Sequence, residues 1–386
     1  MTFIMSNSAY IVKTAHFFPN DPVSNDDMEK HLGMINGQPS KARRIILRKN
    51  GIESRYYAMD ENGKVTHTNV QMAANAINTL LEKRGVTIDD VDVLSCGTAS
   101  PEQLIPSHGI MVHGAVGGSR DIEVVSFAGS CCAGVDAIKY AYMSVMSGLA
   151  KRAIASASER ASAWLNSSYF QKESEELLKQ VDARPMLAFE KEFLRWMLSD
   201  AGMALMIEDK PVAGDVSLRI DWIEITSFAN EMETCMYAGA EKEEDGSLKG
   251  WSLFPEDEWL SKSIFAVKQD TRLLGENVVK LGARHLSAMA KKHNFSADDV
   301  DWFLPHLSSM FFKDLIKQEL DNIGMSIPFE RWFLNLQKVG NIASASAFAM
   351  LDELMTSGKL HKGQKILLMV PESARFSYAH CMFTVC

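Results

Sequence analysis

The chain repeats itself, and the repeat limits the folds open to it. Asp89-Asp90-Val91-Asp92 returns as Asp298-Asp299-Val300-Asp301, 209 residues on. The stretch GSCCAGVDAIKYAYMSVMSG (129–148) returns as GNIASASAFAMLDELMTSG (340–358), and their closing pairs Ser147-Gly148 and Ser357-Gly358 lie 210 residues apart. A basic turn and an apolar strand follow each copy, AIASAS (153–158) and KILLMV (365–370). Three echoes in one order and at nearly one offset point to a duplicated α/β half. Each half reads helix, strand, helix, glycine turn, helix, strand, which predicts a parallel-rich sheet with helices on its faces. At 386 residues the chain is long enough for two such halves, 1–212 and 213–386, the first carrying an inserted segment at 160–199.

Local patterns fill in the frame. Residues 9–16 read as a strand, and the turn PNDPVSN supplies Ser24 or Asn25 as a cap for the helix DDMEKHLG. A helix is expected over 70–84, followed by the short buried strand VDVLSC. In the inserted segment Phe189, Phe193, Trp196 and Met197 share one helical face, which either packs into the core or walls a ligand site. EKEEDGSLKG (241–250) is a solvated loop or hairpin tip.

The chemistry concentrates where a strand meets a helix. VVSFAGSCCAG begins as an apolar run, breaks at small residues and continues as a helix from Cys132, with Val135, Ile138, Ala141, Tyr142 and Val145 at helical spacing. A thiol in the first turn faces free backbone N–H groups and the positive end of the helix dipole, which lower its pKa; the same N–H groups can hold an oxyanion. Taken alone, the stretch also allows Cys131 and Cys132 as small buried fillers. In the second half Gly340-Asn341 stands where the cysteine turn stands in the first, and His306 closes the repeated strand DWFLPH. Two helix starts related by such a repeat can converge on one site.

Composition excludes other classes. A net charge of −9 without a basic stripe argues against a nucleic-acid partner. No apolar run reaches membrane-spanning length and the N-terminus lacks the pattern of a signal peptide, so no membrane association is expected and the cytosol is the default compartment. The six cysteines form neither CxxC pairs nor a disulfide framework, the ten histidines lack metal-ligand spacing, and phosphate-loop and dinucleotide fingerprints are missing. No metal or permanently bound cofactor is expected.

GSCCAG, DWFLPH, KVGNIASAS and the two-half organisation together resemble the thiolase-fold condensing enzymes, specifically β-ketoacyl-acyl-carrier-protein synthase III and its relatives. The resemblance spans nearly the whole chain and implies a layered α-β-α-β-α architecture. It matches Cys132-Ala133-Gly134 to the nucleophile motif, Trp302 to His306 to the histidine motif and Gly340-Asn341 to the asparagine motif, and SDAGMAL (199–205) is similar to the family's Gly-Asp-Gly-Ala-Gly stretch. By this register Cys132 is the nucleophile and Cys131 a small neighbour. The resemblance implies that the Cys132 thiolate, kept partly ionised by helix start and histidine, accepts an acyl group from a carrier-protein phosphopantetheine or coenzyme A thioester. His306 and Asn341 then stabilise the enolate of a second, malonyl or β-ketoacyl, thioester, and the Cys132 N–H serves the acyl oxygen. Homodimerisation through Gly97–Gly114 is a further implication.

Departures from the family pattern mark a specialised branch. Ile45 replaces a coenzyme A-stacking tryptophan and Lys49 a nearby arginine. LSSMF follows His306 in place of the stretch with a carrier-docking arginine, leaving Lys313 or Lys317 as substitutes. PESARFSYA (371–379) replaces a glycine-rich ending, so a second oxyanion N–H is expected near Ser373 or Ala374. PESARFSY, PEQLIPSHGIMVHG (101–114) and the inserted segment resemble ketosynthases that make cyclohexanedione precursors of dialkylresorcinols and stilbenes. Glu159, at the end of AIASAS, is on this reading the base for a cyclising carbon–carbon bond; the alternative is a solvated carboxylate or a salt bridge to Arg160. Competing readings are an acyltransferase to an alcohol or amine, a thiol hydrolase of α/β-hydrolase type, in which a late histidine would follow the acid, and a silent ketosynthase subunit.

Overall fold

A computed structural model describes residues 8–40, 42–169 and 192–386. Nine strands form the main sheet: β1 (Tyr10–Phe17), β2 (Val93–Thr98), β3 (Glu123–Ala128), β4 (Arg152–Glu159), β5 (Ala201–Glu208), β6 (Leu218–Ser227), β7 (Trp302–Pro305), β8 (Lys365–Glu372) and β9 (Ser377–Val385). The principal helices are α1 (Arg43–Asn50), α2 (Asn69–Arg84), α3 (His108–Val116), α4 (Ala133–Met146), α5 (Thr271–His293), α6 (Phe312–Asn322) and α7 (Ser346–Thr356).

The strand order is β7-β8-β9-β6-β1-β5-β4-β2-β3. Read outward from the β1–β6 contact, the two sides carry the same plan. β2 is parallel to both β3 and β4, β5 is antiparallel to β4 and β1, and β7, β8, β9 and β6 repeat the pattern. The counterpart of β3 is reduced to one parallel bridge between Phe303 and Trp332. The halves join where Tyr10 pairs with Arg219 and Ile11 with Leu218.

The sheet is mixed rather than parallel-rich. β8 reaches β9 through only Ser373 to Phe376, and so short a turn can only reverse the chain. β5 repeats this antiparallel placement beside β4 although the intervening chain is long.

The repeated Asp-Asp-Val-Asp phrase has the same structural role twice. Asp90 and Asp299 close capping boxes with Thr87 and Ser296 at short 3-10 turns. Asp92 then accepts the Lys151 and Arg152 backbone N–H groups at 2.8 and 3.2 Å, while Asp301 accepts the Lys365 N–H at 2.7 Å. Each aspartate thus fastens the start of one parallel strand to its neighbour.

Side-chain alternation along the strands builds three apolar layers. On β4, Ala153, Ala155 and Ala157 face the middle layer and Ile154 the outer one beneath α2. On β8, Ile366, Leu368 and Val370 face the middle layer, and Leu367 and Met369 pack beneath α5 and α6. The middle layer holds α4 and α7, which gives the layered α-β-α-β-α order. Gly134 permits the central helices to meet: a Cβ there would lie 2.2 Å from the Ser344 carbonyl oxygen.

Several local expectations need amendment. The first short helix spans Met28–Leu32 with Asp27 at its N-cap; Ser24 bonds the Asp27 side chain at 2.7 Å instead of capping the helix itself. The helix expected over 70–84 starts at Asn69 behind a Thr68/Gln71 capping box. Trp196 and Met197 are core residues and Phe193 packs against them, whereas Phe189 lies outside the described residues. The acidic stretch forms a hairpin of Ala240–Lys242 with Leu248–Gly250.

Candidate active site

The starts of α4 and α7 converge from the two halves. Cys132 is the N-cap of α4, with its backbone in the helical region. Asn341 lies ahead of a 3-10 turn, Ala343–Ala345, that leads into α7. Its Oδ1 accepts the Ala343 N–H at 2.9 Å, and its backbone N–H and C=O bond Met197 and Ser199, each at 2.9 Å. These bonds fix the amide and leave its NH2 group without a partner among the described residues. Ala343 itself has φ +40°, a left-handed conformation uncommon for a residue with a Cβ.

His306 follows β7, held by its N–H to Met369 C=O at 2.8 Å. It is buried, and burial pulls its pKa down to about 4. The ring is therefore neutral at ordinary pH and can donate one N–H. His306 and Asn341 line one narrow apolar cavity of about 60 Å³, together with Ser130 and Cys131.

The two thiols are placed differently. Cys131 is the one in the wall of the His306–Asn341 cavity, and the Cys132 thiol donates to Val370 C=O at 3.5 Å. Both lie in the middle apolar layer. Burial first, and then the Glu372 carboxylate, raise both thiols, Cys131 to about 12 and Cys132 well above its usual range. This corrects the expectation of a thiolate favoured by helix start and histidine: a carboxylate sits at that helix start, and the histidine is neutral.

That carboxylate belongs to Glu372, a residue the sequence did not single out. At the end of β8, its Oε2 accepts the N–H of Cys132 at 2.9 Å and of Ser130 at 3.1 Å. Burial raises its own pKa, against the lowering effect of those two bonds. The only signal in the sequence was an acid in PESARFSYA where the resembled family has a glycine-rich turn.

Glu159 is fully buried, neither solvated nor paired with Arg160, which approaches Glu102 at 3.4 Å instead. It accepts Ala99 N–H at 2.9 Å, Ser100 Oγ–H at 2.6 Å, Ser344 N–H at 3.3 Å and the Ser344 hydroxyl. It thus ties β4 to the α7 start across the two halves. Burial raises it to about 7 despite these bonds. Glu159 and Glu372 line a second, wider cleft of about 650 Å³, with Trp164, Trp251 and Phe265 on its walls. Ser130 and Ala343 line both cavities, so the two spaces adjoin at the thiol turn.

Known proteins similar to this chain share its fold. Residues 290–378 match the family described as 3-oxoacyl-[acyl-carrier-protein (ACP)] synthase III C terminal. The β-ketoacyl-[acyl-carrier-protein] synthase III of Clostridium perfringens is 23% identical over 365 residues, 92% of each chain. Among solved structures, the tetronic acid condensing enzyme AbyA1 superposes with a TM-score of 0.75 at 18% identity, covering 97% of this chain and 99% of the other. The OleA of Xanthomonas campestris, solved with bound lauric acid and lauroyl-CoA, gives 0.74 at 16%, covering 98% and 100%. The fold is thiolase-like. Over nearly its whole length the chain is thus similar to β-ketoacyl-[acyl-carrier-protein] synthase III enzymes, which are transferases.

Proposed function

We propose that the protein is a ketosynthase that joins an acyl group held on Cys132 to a second, malonyl or β-ketoacyl, thioester. In the loading step the Cys132 sulfur attacks the thioester carbonyl, the carbon–sulfur bond to the donor breaks, and the thiol proton leaves on the donor thiol. In the second step a carbanion at the α-carbon of the other thioester, formed by loss of carbon dioxide or of a proton, displaces the Cys132 sulfur. The observation that carries this reading is the convergence of a helix-start thiol pair with a neutral His306 and an Asn341 whose NH2 is unpartnered among the described residues. Two neutral donors suit a developing enolate oxygen. The solved neighbour named as a tetronic acid condensing enzyme adds support for carbon–carbon bond formation.

A second nucleophile is favoured by one observation: Cys131 lines the cavity of His306 and Asn341. Incubation with an acyl-coenzyme A, followed by peptide mapping of Cys132→Ala and Cys131→Ala proteins, decides between them. Loss of label in Cys132→Ala alone supports Cys132 as the acyl carrier; acyl on Cys131 overturns it.

Glu159 is the proposed base for a further, ring-closing carbon–carbon bond giving a cyclohexanedione-type product, since a carboxylate poised near 7 beside the wider cleft suits proton removal next to a carbonyl. The thioester donor is a carrier protein or coenzyme A, with no permanently bound cofactor. Lys313, stacked 4.5 Å from the Phe329 ring, and Lys317 are on α6, and exposed Ile45 lies on α1, whose Asn50 C=O is bonded by Met310 N–H at 2.9 Å. This neighbourhood is the proposed docking face for the donor. A homodimer is proposed through edge strand β3 and the segment 97–114, where Leu104 and Ile105 are 74% and 87% exposed.

A further inference from the structure

The Glu372 carboxylate occupies an amide group that the proposed chemistry needs free. Its Oε2 is shared by the N–H groups of Ser130 and Cys132, and the side chain stands in the wall of the wider cleft beside Gly129. A thioester carbonyl oxygen that gains negative charge at the α4 start would require the Cys132 N–H, one of the two donors that Glu372 holds. An ionised carboxylate and an oxyanion cannot share it, because two negative charges a few ångströms apart repel in a site of low polarity.

We propose that Glu372 is a displaceable stopper of the acyl-oxygen site: it fills the Ser130–Cys132 amide pair in the resting enzyme, sets its carboxylate beside the adjacent thiol, and gives way to the thioester carbonyl. The inference rests on the reading that a thiol at the α4 start accepts the acyl group. Glu372 acts through the nucleophile and its amide, so it is a positioning residue. The surrounding charges agree with this assignment. The titratable groups that bear on the two thiols include Glu372 itself, Asp136 from α4, Glu159 from β4, Cys381 and Tyr378 from β9, and Cys131 on its neighbour Cys132. No cation is among them; Lys139 bears on Asp136 and Cys381 instead. The side chain able both to hold the amide pair and to repel a thiolate is therefore Glu372. Its position at the last residue of β8, next to the turn Ser373–Phe376, gives it a short connection about which to withdraw.

The test is the pH dependence of alkylation by iodoacetamide in the absence of substrate, with the modified cysteine identified by peptide mapping. Glu372→Gln keeps size and an acceptor oxygen while removing the charge; Glu372→Ala empties the position. Both variants are expected to react with a midpoint lower by about one pH unit or more, so that well below the midpoint they alkylate about tenfold faster than wild type. Asp136→Asn, which removes a nearby charge without freeing the amides, is expected to shift it less than either. An unchanged midpoint in both Glu372 variants, or an equal shift in Asp136→Asn, overturns the stopper. Loading from hexanoyl-coenzyme A, measured in parallel, is expected to be faster in both Glu372 variants at neutral pH, and slower loading in both overturns the inference. If no protein loads an acyl group, the proposed function has failed; the alkylation midpoint and the labelled position report on the stopper separately.

Discussion

Glu159 shows how one side chain can serve structure and chemistry together. Its carboxylate accepts hydrogen bonds from both halves of the molecule, yet burial leaves it titrating near 7. A step that uses Glu159 as base requires the ionised form, so ring closure should gain rate as pH rises through about 7 and fade below it. Glu159→Gln should load acyl groups but release linear or lactonised products; a wild-type yield of cyclic product would make Glu159 purely structural. Glu159→Ala leaves the Ser344 and Ala99 donors unpaired and should destabilise the fold by about 3 kcal/mol in denaturant titrations. For His306→Ala and Asn341→Ala, intact loading with condensation slowed roughly a hundredfold or more is expected, the usual cost of one donor to a developing oxyanion. Equal losses in both steps would show that their roles are wrongly divided.

The elements explain which parts of the architecture were legible. The offset between Asp92 and Asp301 exposed the duplication because the same backbone N–H groups must be satisfied at the same strand junction in each half. The close approach of the central helices has an equally physical basis: Gly134 has room for no side chain against Ser344. Gly134→Ala should therefore cost a few kcal/mol, measured by thermal or denaturant unfolding, since the contact is with backbone and cannot rotate away. Asp92→Ala should cost more than Asp301→Ala because Asp92 satisfies two backbone donors and pairs with Arg120 at 2.8 Å. The sheet's mixed direction was not legible, since strand direction depends on the connection and not on the strand's own residues. Glu372 was missed for a similar reason. Its partners are some 240 residues away in the chain, and only the fold brings that carboxylate to the α4 amides.

At the scale of the whole molecule, the apolar side chains left at one edge suggest that a single chain is incomplete. Among the described residues β3 ends the sheet with one side unpaired, and Leu104, which lines the wider cleft, is exposed, as are Ile105, Ile110 and Met111. Sedimentation at micromolar concentration should give a dimer, and Ile105→Lys with Ile110→Asp should weaken it; a stable wild-type monomer would remove this proposal. Carbon–carbon bond formation is tested most directly by incubating the protein with an acyl-coenzyme A and a malonyl or β-ketoacyl thioester, then reading both protein and products by mass spectrometry. The expected result is an acyl adduct on Cys132 that disappears as a product containing a new carbon–carbon bond appears. An acyl adduct transferred only to an alcohol, an amine or water, with no such product from either second thioester, would contradict it.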